Sequence, residues 1–213
     1  EETILLIKNA KILTMAGKNY DKGCILTENS IIKKVAENVS ESENADGIVL
    51  DVQGAWVLPG LIDAHSHIGI FEEKKGQIGD SSNEITEPIT PYLKALDAIN
   101  PMDSAFENAV RAGVTSVMVG PGSSNVVGGQ FLFMKTSGRC IDRMEGLEPA
   151  ALKIAFGENP KTNYGDNNQM PSSRMSIGAL LREELFYARQ YAKAKQMAEE
   201  NGESFEENFQ KEC

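Results

Sequence analysis

Between residues 2 and 58 the apolar positions fall in short runs separated by turn residues. The runs are Ile4-Leu5-Leu6-Ile7, Lys11-Ile12-Leu13-Thr14-Met15, Cys24-Ile25-Leu26-Thr27, Ile31-Ile32-Lys33-Lys34-Val35, Gly47 to Val52 and Ala55 to Leu58. No period of 3.6 competes with them, so each reads as a strand. Asn9-Ala10 and Gln53-Gly54 mark turns, and Glu28-Asn29-Ser30 has the look of a hairpin. Ser40 to Asp46 is polar and acidic, which suits a solvated loop. Residues 1–58 are therefore expected to form a small β module.

The pattern changes at Pro59-Gly60, which breaks what precedes it and lets a strand begin at Leu61-Ile62. Ile68 to Pro91 follows as a long loop of glycines and charged or small polar residues. Loops of that length are commonly functional, and this one is expected to contact substrate. Asn100-Pro101 is read as a helix start, with Asn100 as cap, and Gly113 as its end. Val114 to Val119 is rich in β-branched residues and predicts a strand parallel to the first, in a βαβ unit. Further strands are expected at Phe131 to Lys135 and Ala150 to Glu158. Ser176 to about Asn201 is a long helix whose stripe of Leu181, Leu185, Ala188 and Ala192 predicts packing against a barrel. The glutamate-dominated end from Glu199 to Cys213 reads as solvated.

Composition narrows the choices. A formal charge of −10 and a pI near 4.8 argue against nucleic acid or an anionic membrane surface as partner. No apolar run approaches the roughly 18–20 residues of a membrane span. Cys24, Cys140 and Cys213 are odd in number and lack metal-site spacing, which points to a reducing cytoplasm.

The chemistry concentrates at His65 and His67, the two histidines of the sequence. Strand side chains alternate faces, so both imidazoles point the same way, with Asp63 and Leu61 behind them. Two imidazoles roughly 6.5–7 Å apart along a strand can lean onto one ion. A bare His-x-His is weak, but here it closes the run Pro59-Gly60-Leu61-Ile62-Asp63-Ala64-His65-Ser66-His67. That run resembles the first barrel strand of the amidohydrolase superfamily, whose signature is Pro-Gly-hydrophobic-hydrophobic-Asp-x-His-x-His. Gly157-Glu158-Asn159-Pro160-Lys161 and Pro171-Ser172-Ser173-Arg174-Met175 are similar to its imidazolonepropionase-like and prolidase-like branch.

The resemblance implies an α/β fold: the N-terminal part of a TIM-like (β/α)8 barrel over residues 59–213, preceded by a small β-sandwich module at 1–58. It implies a divalent metal, zinc first, held by His65 and His67. In some members a strand-end glutamate takes a metal position that others give to a carboxylated lysine. Glu158, at the end of the fourth expected strand, is the candidate for it, and Lys135 on the third is the rival. Lys153 lies early on its strand and is expected far from the metal. Arg174 could meet an anionic substrate group or simply pair with a neighbour near a helix start. Gly120-Pro121-Gly122-Ser123-Ser124-Asn125 lacks the third glycine of a dinucleotide fingerprint, and no Gly-Lys-Ser/Thr is present, so it reads as a tight rim turn.

The implied activity is metal-dependent hydrolysis of an amide-like C–N bond, in a cyclic amide or peptide-like small molecule. The count of strands stops at four, however, and such barrels take about 250 residues. Family members also draw two later histidines and an eighth-strand aspartate that have no counterpart here. The expectation is therefore a fragment, completed by a C-terminal half or a second copy. The alternative is a non-catalytic half-barrel that binds or assembles through its open strand edges.

Overall fold

A computed structural model describes residues 3–40 and 47–212. Most of the expected acidic loop, together with Cys213, lies outside the described residues. Two compact units separate at the boundary between Gly60 and Leu61.

The first unit is a sheet of β1 (Ile4–Ile12), β2 (Tyr20–Glu28), β3 (Ile31–Ala36), β4 (Ile48–Asp51) and β5 (Trp56–Val57). Its order is β3-β2-β1-β4, with β5 also on β1. Asn29 and Ser30 both take positive φ in the β2–β3 hairpin, the conformation its tight turn demands. Ala10, Ile12 and Ile25 form the small core of this unit, with Tyr20 and Val35 packed against it.

The second unit is built on a four-stranded sheet of β6 (Leu61–Ser66), β7 (Val114–Val119), β8 (Val127–Lys135) and β9 (Glu145–Ile154), in that order. β6 and β7 are parallel, as a βαβ unit requires. β8 runs antiparallel to β7 and β9 antiparallel to β8, which corrects the expectation of an all-parallel wall. The physical reason lies in the connections. A parallel return needs a crossover of about a dozen residues or more, and loop 120–126 is too short for one. Segment 136–144, with the single turn α2 (Ile141–Met144), likewise turns the chain straight back. Two reversals restore the direction, so the C-terminal ends of β6, β7 and β9 share one rim.

One face of this sheet is covered. Val117, Val119, Leu132 and Met134 pack under Phe106 of α1 (Ser104–Arg111) and under Ile70, Ala95 and Ile99 from the long connection. The helix begins at Ser104 rather than at Asn100-Pro101. Asn100 is occupied elsewhere, accepting from the Met102 amide and donating to Glu72. Asp103, in extended backbone, accepts from the Ala105 amide and caps instead. The same carboxylate accepts from the Glu73 amide, which ties the long loop to the helix.

After β9 come α3 (Glu158–Gly165), α4 (Arg174–Asn201) and the short α5 (Phe209–Glu212). Ser173 and Ser176 form a reciprocal capping box at the start of α4. Ile177, Leu180 and Leu181 pack on Val126 and Val127. Beyond that turn the expected buried stripe is not realised: Leu185 is exposed, because α4 runs on past the elements it packs against. No helix among the described residues is long and apolar enough to cross a membrane.

Candidate metal centre

The second face of the four-stranded sheet is the open one, and it carries the chemistry. His65 stands on it near the end of β6, past a register shift that follows Asp63, whose own partner Val117 belongs to the covered face. Register pairing puts Gly129 beside Lys153 and Phe131 beside Ala151, so Phe131 and Lys153 share a face as well. The His65 ring meets the Phe131 ring edge-on with centroids 5.5 Å apart, and Lys153 Nζ stands 5.9 Å from the same ring. Lys153 Nζ lies 3.4 Å from His65 Nε2. In a flat sheet the outer strands β6 and β9 would stand about 14 Å apart, at about 4.8 Å per step. Their side chains touch because the sheet curls, with Phe131 as the floor between them.

His67 follows the last residue of β6 and its ring lies 5.4 Å from that of His65, nearly perpendicular to it. Its Nδ1 is 2.7 Å from the Gly120 carbonyl oxygen. A carbonyl only accepts, so Nδ1 carries the proton, and in the neutral ring the lone pair is left on Nε2. Gly120 has no room for a side chain: a Cβ there would come within 2.3 Å of the Phe131 ring. The His65 imidazole is held below its ordinary pKa, first by partial burial, then by Lys153 and His67. Lys153 is itself pushed down by burial. Because a lysine ammonium has donors only, the contact leaves His65 Nε2 as acceptor. Both rings thus offer an Nε2 lone pair, the form that ligates metal.

Of the residues expected at the site, the structure brings His65 and His67 together and does not bring Glu158 to them. Glu158 opens α3, with its side chain 78% exposed and 3.6 Å from Lys161. Among the described residues no three His, Cys, Asp or Glu side chains gather to hold a metal ion. Lys135 is at the wrong end: its strand runs antiparallel, and Nζ donates to Ser116 Oγ near the start of β7. Lys153, expected far away, is the residue that arrives. Its strand starts five residues earlier than the expected one and runs into the rim, so residue 153 is near the strand's end. Arg174 opens α4 and is exposed.

The surroundings are polar on one side. Asp80, whose carboxyl is held below its usual range first by the Ser82 hydroxyl and then by the Ser82 amide, lies near His67. A cleft of about 310 Å³ opens along Ser66, His67, Phe71 and Ser82. Another of about 420 Å³ runs past Asp80, Asn83, Lys94 and Gly128.

The wider likenesses agree with this layout. Over 166 residues, 72% of its length, the chain is 33% identical to the amidohydrolase tasK of Hapsidospora irregularis, of which it spans 17%. Over 98% of its length it matches the crystal structure of an amidohydrolase from Thermotoga maritima MSB8, with a TM-score of 0.92 and 41% identity. The chain belongs to the amidohydrolase superfamily. A shorter stretch of 111 residues is 32% identical to a 5-methylthioadenosine/S-adenosylhomocysteine deaminase of Bacillus cereus (strain 03BB102), covering 23% of it. No family profile matches the chain. The amidohydrolase chain spans 54% of the Thermotoga protein and a smaller share of the curated relatives.

Proposed function

We propose that this chain supplies the histidine-bearing part of a metal-dependent hydrolase acting on an amide-like C–N bond of a small molecule. The observation that carries the reading is the meeting of His65, His67 and Lys153 on one rim, with both imidazoles presenting Nε2. Relatives named amidohydrolase, dihydroorotase and deaminase support the same bond class. A cyclic amide or peptide-like substrate is the working choice.

The donor set fits a divalent ion on one condition. Two neutral imidazoles suit zinc, but an ammonium 3.4 Å from His65 Nε2 opposes a second cation. Lys153 must therefore lose its proton or carry a carboxylate, formed when its neutral amine adds to carbon dioxide with release of a proton. The burial that lowers the Lys153 pKa favours either course. When bound, such an ion lowers the pKa of a coordinated water toward about 7 and polarises a carbonyl. The rest is work for this chain. His67 keeps its Nδ1 proton on the Gly120 carbonyl, so its ring presents one nitrogen in one orientation. Phe131 closes the floor of the site to water, and Asp80 offsets positive charge near His67. Loop 68–91, lining both clefts, is assigned to substrate contact.

Metal binding tests the reading. Chelator-stripped protein is titrated with Zn²⁺ by calorimetry, with and without bicarbonate, and bound metal is measured by mass spectrometry. Wild type binds and bicarbonate strengthens binding; His65→Ala and His67→Ala lose it. Equal binding by wild type and both variants sinks the assignment. Loaded protein is then assayed against hydantoin, dihydroorotate and N-acyl dipeptides.

A second reading, a non-catalytic binding module, is favoured by the exposure of apolar residues on both outer strands. Ile62 on β6 is 65% exposed, and Leu147 on β9 is exposed too. Zn²⁺ binding with concentration-independent monomer mass argues against it; association without metal binding argues for it.

A further inference from the structure

Loop 120–126 joins β7 to β8 and supplies the carbonyl that orients His67, and a buried polar chain fixes its far end. Tyr164 donates its hydroxyl to Asn125 Oδ1 at 2.6 Å, Asn125 Nδ2 donates to Thr90 Oγ1 at 2.9 Å, and Thr90 donates to the Val127 carbonyl at 3.1 Å. All three side chains are at most 2% exposed. The Thr90 hydroxyl sets the direction of the chain. Val127 O can only accept, so the Thr90 proton points to it and Thr90 Oγ1 must accept from an amide N–H. That sets the Asn125 carboxamide with its oxygen toward Tyr164, which must donate. Each bond fixes the next, and buried polar groups in such a chain are costly to leave unpaired.

The loop between Gly120 and Asn125 has little freedom of its own. Gly120 N donates to Ser66 O, Gly122 N to Ser82 O and Ser124 N to the Asn83 side chain. Asn83 is exposed, and Gly120 is pressed against Phe131. Asn125 is the anchor of this loop whose side-chain bonds are shielded from water, and it joins the loop to α3 through Tyr164 and to residue 90 of the long connection.

We propose that Asn125, braced by Tyr164 and Thr90, is a positioning residue for His67. It holds loop 120–126 so that the Gly120 carbonyl keeps the Nδ1 proton and the Nε2 lone pair faces outward. The inference deepens the metal-site reading above and uses its ligand, but it is a statement about a tautomer and can be tested without metal.

The full chain has two histidines, so its imidazole ¹⁵N spectrum holds two ring systems and each tautomer can be read directly. Wild type is expected to show His67 as the Nδ1–H tautomer. In Tyr164→Phe and Asn125→Ala the His67 nitrogens move toward an averaged tautomer while those of His65 stay in place. Zn²⁺ affinity then falls about tenfold, the scale for loss of support around a ligand. Thr136→Val is the control: it removes a hydroxyl bond to Val114 O at the opposite end of the sheet, lowers stability and leaves the His67 signals unmoved. An unchanged His67 tautomer in Tyr164→Phe, which keeps the ring and should fold, overturns the proposal. So does an equal change in Thr136→Val. If the tautomer depends on Asn125 but wild type binds no Zn²⁺, positioning stands and the metal-site reading falls.

Discussion

The two faces of the β6–β9 sheet are built to different rules. The covered face is apolar and closed: Val119, Leu132 and Met134 are fully buried against Phe106, Ile99 and Met144. The open face carries His65 and Lys153 around the Phe131 ring, with Lys135 bonded to Ser116 at the other end. Stability is stored on one side and reactive groups are displayed on the other, through the same backbone.

Substitutions should separate the faces cleanly. Leu132→Ala on the covered face should cost about 2–5 kcal/mol and lower the melting temperature by roughly 5–15 °C in a calorimetric scan. A drop below about 2 °C would mean that the face is not the core. Asp103→Ala removes both the cap of α1 and the acceptor of the Glu73 amide. About 1–2 kcal/mol is expected from denaturant titration. His65→Ala on the open face should leave the melting point within about 1–2 °C, since surface changes outside the core fall within about 0.5 kcal/mol. A large loss there would blur the division of labour.

A pH series sharpens the same point. The folded His65 titrates below its unfolded value, so the unfolded chain takes up protons first as pH falls through about 6.5. Stability is complete above that pH and declines below it, a change that His65→Ala abolishes. Smallest of all, Glu107→Gln deletes the exposed pair with Arg111 and should shift stability by no more than about 0.5 kcal/mol.

Much of this could be read in the residues. The two-residue period set His65 and His67 on one face, and Gly113, with φ of +83°, ends its helix region as a glycine should. The antiparallel return of β8 escaped that reading, because the strand was expected only from Phe131 and its start at Val127 is what leaves the connection too short for a crossover helix. Lys153 was not legible either. Its arrival depends on where β9 begins and on how far the sheet curls, and a sequence states neither. Glu158 misled for a related reason: its strand ends at Ile154, and Gly157, with φ of +89°, turns the chain into α3 before Glu158 is reached. The Tyr164–Asn125–Thr90 chain joins residues 35 to 39 positions apart, and no local pattern announces such a partnership.

The contact between Lys153 and His65 spans the outermost strands of the sheet, so it works as a caliper on the curvature between them. Flattening the sheet would open the jaws, and tightening it would press amine against imidazole. Whatever closes or spreads the edges of β6 and β9 is therefore felt at the rim at once, and the width of the wall and the reactivity of the site become a single mechanical coordinate.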